Sequence, residues 1–316
     1  MTESQAAEFV RQAYLWILGR APDPAGLAHY AQALADNKID AERLRQALLG
    51  STEFQRRNAL QAVDSDGLKI VVDPSDPDFG RVIAESGTWE PEIGRKIEEA
   101  LTEGGVFVDI GANVGVMSFR GARAVGPTGR VIAFEPNPSN ADKYLRGVIA
   151  NGFTNITLFQ IAAAEHPGVA FVTPQSNGKI VAGDSLLSRD HAVTALPADR
   201  LLADQPRIDL IKIDIEGFEL QAIRGLLKTI ARTRPRMLVE FNPLCLVPHG
   251  GNPPEALADL IFTLTDKVEV LHSADNLGTV ASRSELMGLW ARRDAEISGR
   301  GLLPPGWVHF DLYFQT

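Results

Sequence analysis

Val106-Phe107-Val108-Asp109-Ile110-Gly111-Ala112-Asn113-Val114-Gly115 decides the fold. Its first half is an apolar run of strand length. Its second half is a glycine-bearing turn that passes into a helical pattern from about Val114. A buried strand, a tight turn and a helix N-terminus open a βαβ unit, and in doubly wound sheets ligands bind outside the carboxyl ends of such strands. Glycine lets the backbone approach a ligand closely, and the helix start offers unpaired N–H groups.

Working outward, strand patterns at residues 131–135, 156–161, 208–214 and 237–241 alternate with helical patterns at 114–124, 139–150 and 218–230. Such alternation of near-continuous apolar strands with helices predicts an α/β fold with a mostly parallel sheet covered on both faces. A helix at 254–264 and strands at 268–271 and 308–314 complete it. Upstream, 91–101 reads as a helix and 68–72 as a strand. The cluster at 73–78 reads as a turn, with 80–83 pairing back as a hairpin. Residues 169–196 fit neither pattern and read as one or two short strands plus a loop over the sheet. Residues 5–60 carry helical spacing only, with Pro22 and Pro24 interrupting it and Asp40 placed as an N-cap. The division expected is a small all-α domain at 1–62 and an α/β domain at 63–316.

The bulk numbers bound the function. The chain has 316 residues, 45% hydrophobic and 22% charged, with a net charge of −9. That charge speaks against a broad phosphate-binding surface, so no nucleic-acid partner is expected. No apolar run reaches the length of a membrane span, and the polar N-terminus lacks the features of a signal peptide, so a cytoplasmic setting is expected. The single cysteine, Cys245, reads as a small buried residue near a strand end.

The spacing of the turn separates cofactors. A dinucleotide site wants G-x-G-x-x-G around a pyrophosphate. Here glycines stand at 111 and 115, with Asn113 between them and Asp109 just before. An acid in that place suits a ligand with cationic groups and no phosphate, such as S-adenosylmethionine. Glu135, closing the next strand in Phe134-Glu135-Pro136-Asn137, is placed to accept both hydroxyls of a ribose. The cofactor candidates are therefore Asp109, Gly111, Ala112, Asn113, Val114 and Gly115, with Glu135, Pro136 and Asn137.

A second informative stretch is Asp209-Leu210-Ile211-Lys212-Ile213-Asp214-Ile215-Glu216-Gly217-Phe218-Glu219. Alternation puts Lys212 and Asp214 on one strand face, joined by Glu216 if the strand continues. A lysine inside the sheet layer needs a carboxylate partner. Asp214 is expected at the cofactor's methyl end as well, and Glu240, ending the 237–241 strand, reaches the same mouth. Asp214, Glu216, Lys212 and Glu240 are the catalytic candidates. Three readings stay open for these acids: a general base, oxygen ligands to a divalent metal, or helix capping and ion pairing. A metal is not expected. Asn252-Pro253-Pro254-Glu255 reads as a helix start and His249 as an exposed loop residue. His166 and His191 lack ligand spacing, and Trp89 and Phe153 read as core or lid.

Together, Glu90-Pro91-Glu92, FVDIGANVG (107–115), AFEPNP (133–138), DLIKIDIEGFE (209–219) and RPRMLVE (234–240) resemble the FkbM family of methyltransferases. The resemblance implies a seven-stranded class I methyltransferase sheet, Rossmann-like, and methyl transfer to a hydroxyl of a glycan or other small molecule. It also implies that Glu92 covers the cofactor. Residues 9–54, with LGRAPDPAGLAHY and GSTEF, are similar to a small helical domain of unknown function related in pattern to phycobilisome linker modules. That likeness implies a protein-interaction role. N- or C-methylation, a non-catalytic adenosyl-binding protein and a nicotinamide oxidoreductase are the alternatives.

Overall fold

The computed structural model describes residues 2–58, 60–77, 79–173, 180–181, 191–273 and 275–316. The chain divides into two compact units, Met1–Gln61 with Asp73–Ser75, and Ala62–Val72 with Asp76–Thr316. The first unit holds α1 (Glu3–Leu18), α2 (Pro24–Ala35), α3 (Ala41–Leu49) and α4 (Thr52–Asn58). Each boundary has a local cause. Thr2 and Gln5 form a capping box at the start of α1, and Gly19 ends it in the left-handed region. Asp23 accepts the Gly26 N–H ahead of Pro24, and Asp40 accepts the Arg43 N–H at 2.7 Å. Ala6, Val10, Tyr14, Leu18, Leu44 and Leu48 make its core.

In the second unit β1 (Gln61–Ser65) and β2 (Leu68–Val72) form a hairpin, followed by α5 (Gly80–Ser86) and α6 (Pro91–Ala100). The main run is β3 (Val106–Ile110), α7 (Val116–Val125), β4 (Arg130–Phe134), α8 (Pro138–Asn151) and β5 (Ile156–Phe159). Four short strands come next: β6 (Ala162–Ala163), β7 (Gly168–Val172), β8 (Ile180–Val181) and β9 (His191–Leu196). Then follow β10 (Leu210–Ile213), α9 (Glu219–Arg224), α10 (Leu227–Thr233), β11 (Arg236–Phe241), α11 (Pro243–Leu246) and α12 (Pro254–Leu264). The chain finishes with β12 (Val268–His272), β13 (Asp275–Val280), α13 (Arg283–Gly299) and β14 (Phe310–Gln315).

The main sheet runs β13-β12-β14-β11-β10-β3-β4-β5. β11, β10, β3, β4 and β5 are parallel, and β14 lies antiparallel between β11 and β12. The strand order reverses at β3, whose two neighbours are β4 and β10, so a crevice opens at their carboxyl ends. Ile110, Phe134 and Ile213 stand in register at that edge. One sheet face packs Val108, Ile110, Ile211, Ile213 and Val239 into the largest core cluster. The opposite face packs Phe107, Val131, Leu210 and Leu238 against α6 and α7 residues such as Ile97 and Met117.

Several local expectations are corrected. Residues 80–83 form a helix rather than a hairpin strand: Asp76 accepts the Gly80 N–H at 2.9 Å, and Gly87 closes α5 in the left-handed region. The hairpin partner of β2 is β1, joined through Asp66 and Gly67, both at positive φ. The 218–230 helix is split at Gly225, where the backbone passes so close to Ala164 that a Cβ would overlap its carbonyl. The sheet has eight strands, since β13 adds to the seven expected. β13 is mostly exposed and polar, and α13 buries only Leu286 and Ile297, so neither leaves a strong apolar period in the sequence. β7, β8 and β9, which take up the described part of 169–196, join β6 in a separate four-stranded sheet, and residues 174–179 and 182–190 of the expected loop lie outside the described residues. Among the described residues no helix is long and apolar enough to cross a membrane.

Candidate functional site

A cavity of about 450 Å³ sits at the carboxyl edge of β4, β3, β10 and β11, within the usual size of a ligand site. Gly111, Ala112 and Asn113 line it from the turn after β3, and Glu135 and Pro136 from the end of β4. Lys212, Asp214 and Glu216 line it from β10, and Glu240 from β11. Residues the sequence spread over 130 positions thus share one wall because the parallel register aligns their strand ends.

The glycine turn and the acid after β4 are tied together. Glu135 is buried, and its two carboxylate oxygens accept the N–H groups of Asn113 and Asn137, each at 2.8 Å. Burial pushes its pKa up to about 7, tempered by those two N–H donors. The N–H groups of Gly111 and Ala112 both donate to the Phe134 carbonyl, so this turn is braced on β4. Gly111 has φ +85°, and a Cβ there would overlap the Asp214 carbonyl oxygen. Glycine at 111 is required by the approach of the β3 turn to the end of β10 (protein against protein), not by a ligand. Gly115, φ +100°, is excluded from a side chain by the Phe119 ring.

Five candidates stand outside the lining. Asp109 is fully buried beneath it, accepting the Ser118 hydroxyl at 2.6 Å and lying 3.8 Å from the Lys212 ammonium. Val114 packs into the core and Gly115 caps α7. Asn137 caps α8 by accepting the Ser139 N–H and supports Glu135 through its own N–H. Glu92 faces Arg95 at 3.7 Å in the first turn of α6, and Glu90, two residues earlier, lines the cavity instead. Glu90 sits at φ +40°; burial, then the nearby Asp214, raises its pKa to about 7.

Lys212 is buried with its ammonium 3.0 Å from Asp214. Burial opposes its charge, but Asp214 and Asp109 outweigh that, and the net shift is upward, so the ammonium persists. Asp109 is raised by burial, partly offset by Lys212. Glu240 is raised well above the ordinary carboxylate range by burial and then by Asp214.

Glu216 is held by a strained turn. It has φ +56° and Gly217 has φ +105°. The Glu219 carboxylate accepts the N–H groups of Ile215 and Gly217, on either side of Glu216, at 3.0 and 3.1 Å. The Cys245 thiol donates to the Glu216 carboxylate at 3.2 Å, and His249 Nδ1 meets the Glu216 carbonyl at 2.9 Å. A non-glycine residue at this conformation persists only where its surroundings over-determine it, which is how functional side chains are often aimed. His249 is therefore half-buried and braces the turn rather than lying free in a loop. Glu219 and Cys245 were not read as part of the site; the spacing E-G-F-E was the signal for Glu219. Trp89 forms part of the cavity wall against Phe79, and Phe153 packs on Phe119. Among the described residues no group of three His, Cys, Asp or Glu side chains is arranged to hold a metal ion.

Residues 109–247 match the family model described as Methyltransferase FkbM domain, spanning β3 to just past α11 and so every strand end of the cavity. The chain carries an FkbM methyltransferase domain. Residues 2–58 match a domain of unknown function (DUF4214). The hexuronic acid methyltransferase AglP of Haloferax volcanii is 24% identical over 176 residues, covering 54% of this chain and 67% of its own. A methyltransferase FkbM structure from Methylobacillus flagellatus KT is 18% identical, covers 98% of this chain and 60% of its own, and overlays with a TM-score of 0.41. The O-methyltransferase TomG of Streptomyces achromogenes, solved with its methyl donor, is 13% identical with 75% and 86% covered and a TM-score of 0.41. At these overlaps the fold rests on the strand order itself.

The FkbM domain is that of an S-adenosylmethionine-dependent methyltransferase. The residues present fit that cofactor. Asn113 Oδ1 is buried at the cavity wall with no hydrogen-bond partner among the described residues. The Glu135 carboxylate, which accepts the Asn113 and Asn137 N–H groups and a side-chain hydrogen bond from Asn140, has acceptor capacity left over. Together they offer acceptors to the ligand's amino and hydroxyl donors.

Proposed function

We propose that the FkbM domain methylates a hydroxyl oxygen of a glycan or natural product. The observation that carries this reading is Glu216, a half-buried carboxylate fixed at the β10 end of the cavity. The turn after β3 stands between it and Glu135. Glu135, with Gly111, Ala112 and Asn113 beside it, is assigned to the nucleoside, and Asp214 and Glu216 to the methyl end. When bound, S-adenosylmethionine supplies a methyl carbon made electrophilic by its sulfonium.

An aliphatic hydroxyl is too weak an acid to ionise beforehand, so its proton must leave as the new C–O bond forms and the C–S bond breaks. Glu216 is the acceptor of that proton. Asp214, paired with Lys212, adds negative charge beside the sulfonium. Holding hydroxyl and methyl carbon in line supplies most of the rate, on the order of 7–11 kcal/mol for well-oriented partners. The relative named for hexuronic acid supports a carbohydrate acceptor. A cytoplasmic setting goes with this reading.

The test is transfer of an isotope-labelled methyl group to a panel of sugars, polyketides and amines, with the methylated atom located by NMR. A label found on nitrogen or carbon replaces this reading with an N- or C-methyltransferase. Tight cofactor binding with no transfer to any acceptor replaces it with a binding protein.

A further inference from the structure

Part of the cavity lining is apolar and open to solvent. Trp307, Leu303 and Leu244 line it, and all three are large apolar side chains left exposed; Trp307 is 51% exposed. The segment carrying Trp307 is nonetheless pinned. Asp294 of α13 accepts the Gly306 N–H at 2.9 Å, Trp290 donates to the Val308 carbonyl at 2.7 Å, and Val308 is fully buried. An indole presented to a cavity from a fixed segment is a platform, since its ring gives contact area at little cost in ordering.

The same cavity holds unpaired hydrogen-bonding atoms. Glu240 Oε2 and Asn242 Oδ1 both line this cavity, and both are buried with no partner among the described residues. Burial favours the neutral form of Glu240 and its Oε1 already accepts from the Asn242 amide, so Oε2 offers an O–H while Asn242 Oδ1 accepts. Buried polar atoms left unpaired are costly, and the site calls for hydroxyls, which both donate and accept. The charge points the same way. Lys212 is the only lysine or arginine in the lining described, and it is already committed to Asp214 at 3.0 Å and Asp109 at 3.8 Å. Asp214 and Glu216 face the same space, and Glu90 and Glu240 line it too, with burial favouring the uncharged form of those two. Among the described residues an anionic acceptor would meet Asp214 and Glu216, with Lys212 already paired and His309 the remaining basic side chain of the lining.

We infer that the acceptor is an uncharged sugar residue whose ring face stacks on Trp307 and whose hydroxyls hydrogen-bond with Glu240 and Asn242, with one hydroxyl turned to Glu216. This rests on the O-methyltransferase reading above and narrows it: the acceptor differs in charge from a hexuronic acid. The uncharged ring supplies both things the wall asks for, an apolar C–H face for the indole and several hydroxyls for the unpaired polar atoms.

The test uses the full chain and matched pairs of methyl glycosides, each a neutral hexoside or deoxyhexoside and the corresponding hexuronide. The neutral member is expected to show a kcat/KM at least about tenfold higher. Trp307→Ala is expected to raise KM for the neutral glycoside about tenfold, Trp307→Phe to restore most of it, and neither to move the affinity for S-adenosylhomocysteine. Preference for the hexuronide, or an unchanged KM in Trp307→Ala, overturns this inference and leaves hydroxyl methylation standing. Methylation of no glycoside at all, with transfer to an amine or a carbon, removes both.

Discussion

The backbone N–H of Asn113 donates to the Glu135 carboxylate at 2.8 Å, so the turn after β3 and the acid after β4 form one unit. Glu135→Gln must turn an NH₂ group toward one of its two N–H donors. We expect S-adenosylhomocysteine affinity to fall about 10- to 100-fold, the scale of a lost hydrogen bond to a charged group. Calorimetric titration reads it, and an affinity equal to that of the parent protein takes Glu135 out of the cofactor site.

Gly111→Ala separates a folding requirement from a ligand requirement. The added Cβ overlaps the Asp214 carbonyl, and φ +85° is strained for alanine. Left-handed backbone costs about 1–2 kcal/mol and overpacking about 1–3, so the ligand-free protein should melt roughly 5–15 °C lower. A variant that melts normally yet fails to bind cofactor would instead mean that the glycine makes room for the ligand.

Glu216→Gln keeps the shape of the side chain and its contact with Cys245 while removing the proton acceptor. Turnover should drop by about 10²–10⁴, with S-adenosylhomocysteine affinity within a few-fold of the parent. Parallel measurements of kcat and affinity decide it; wild-type turnover excludes Glu216 as the base.

Lys212→Met leaves Asp109 and Asp214 facing each other without the intervening cation. Removing one partner of a buried ion pair costs about 3–5 kcal/mol. A large fall in the denaturation midpoint is expected, partly recovered by adding Asp109→Asn. No recovery in the double variant would mean the two charges are not coupled.

Glu90, Glu135 and Glu219 each have folded pKa values of about 7, above the ordinary carboxylate value of 4.5. The folded state thus holds protons that the unfolded chain has released between those values. Their contribution to stability is full below about pH 4.5 and is lost as pH rises through about 7. The melting temperature of ligand-free protein should decline from pH 5 to pH 8, and Glu135→Gln should flatten that decline. A slope identical in both proteins would contradict the burial of this carboxylate.

Much of this site could be read in advance because short-range pattern carries it. Apolar strand runs and turn glycines marked β3, β4, β10 and β11, and a strand end is where a doubly wound sheet binds ligands. The sequence therefore named Gly111, Asn113, Glu135, Asp214, Glu216 and Glu240, all of which line one cavity. Side-chain direction was less legible. Asp109 and Asp214 are both acids at strand ends, yet one is buried under Lys212 and the other opens to the cavity, and Glu92 and Glu90 exchange places through one left-handed residue.

By itself the sequence determined the alternation of strands and helices from β3 to β11, the acids at their ends and the helical character of residues 5–60, because hydrophobic period and turn chemistry act over a few residues. Only the tertiary structure decided that Glu219, Cys245 and His249 clamp Glu216, that Gly111 answers to a backbone carbonyl, and that Trp307 lines the same cavity as the carboxylates. Gly111 and Asp214 stand 103 positions apart, and no local pattern records which distant backbone a side chain will be packed against.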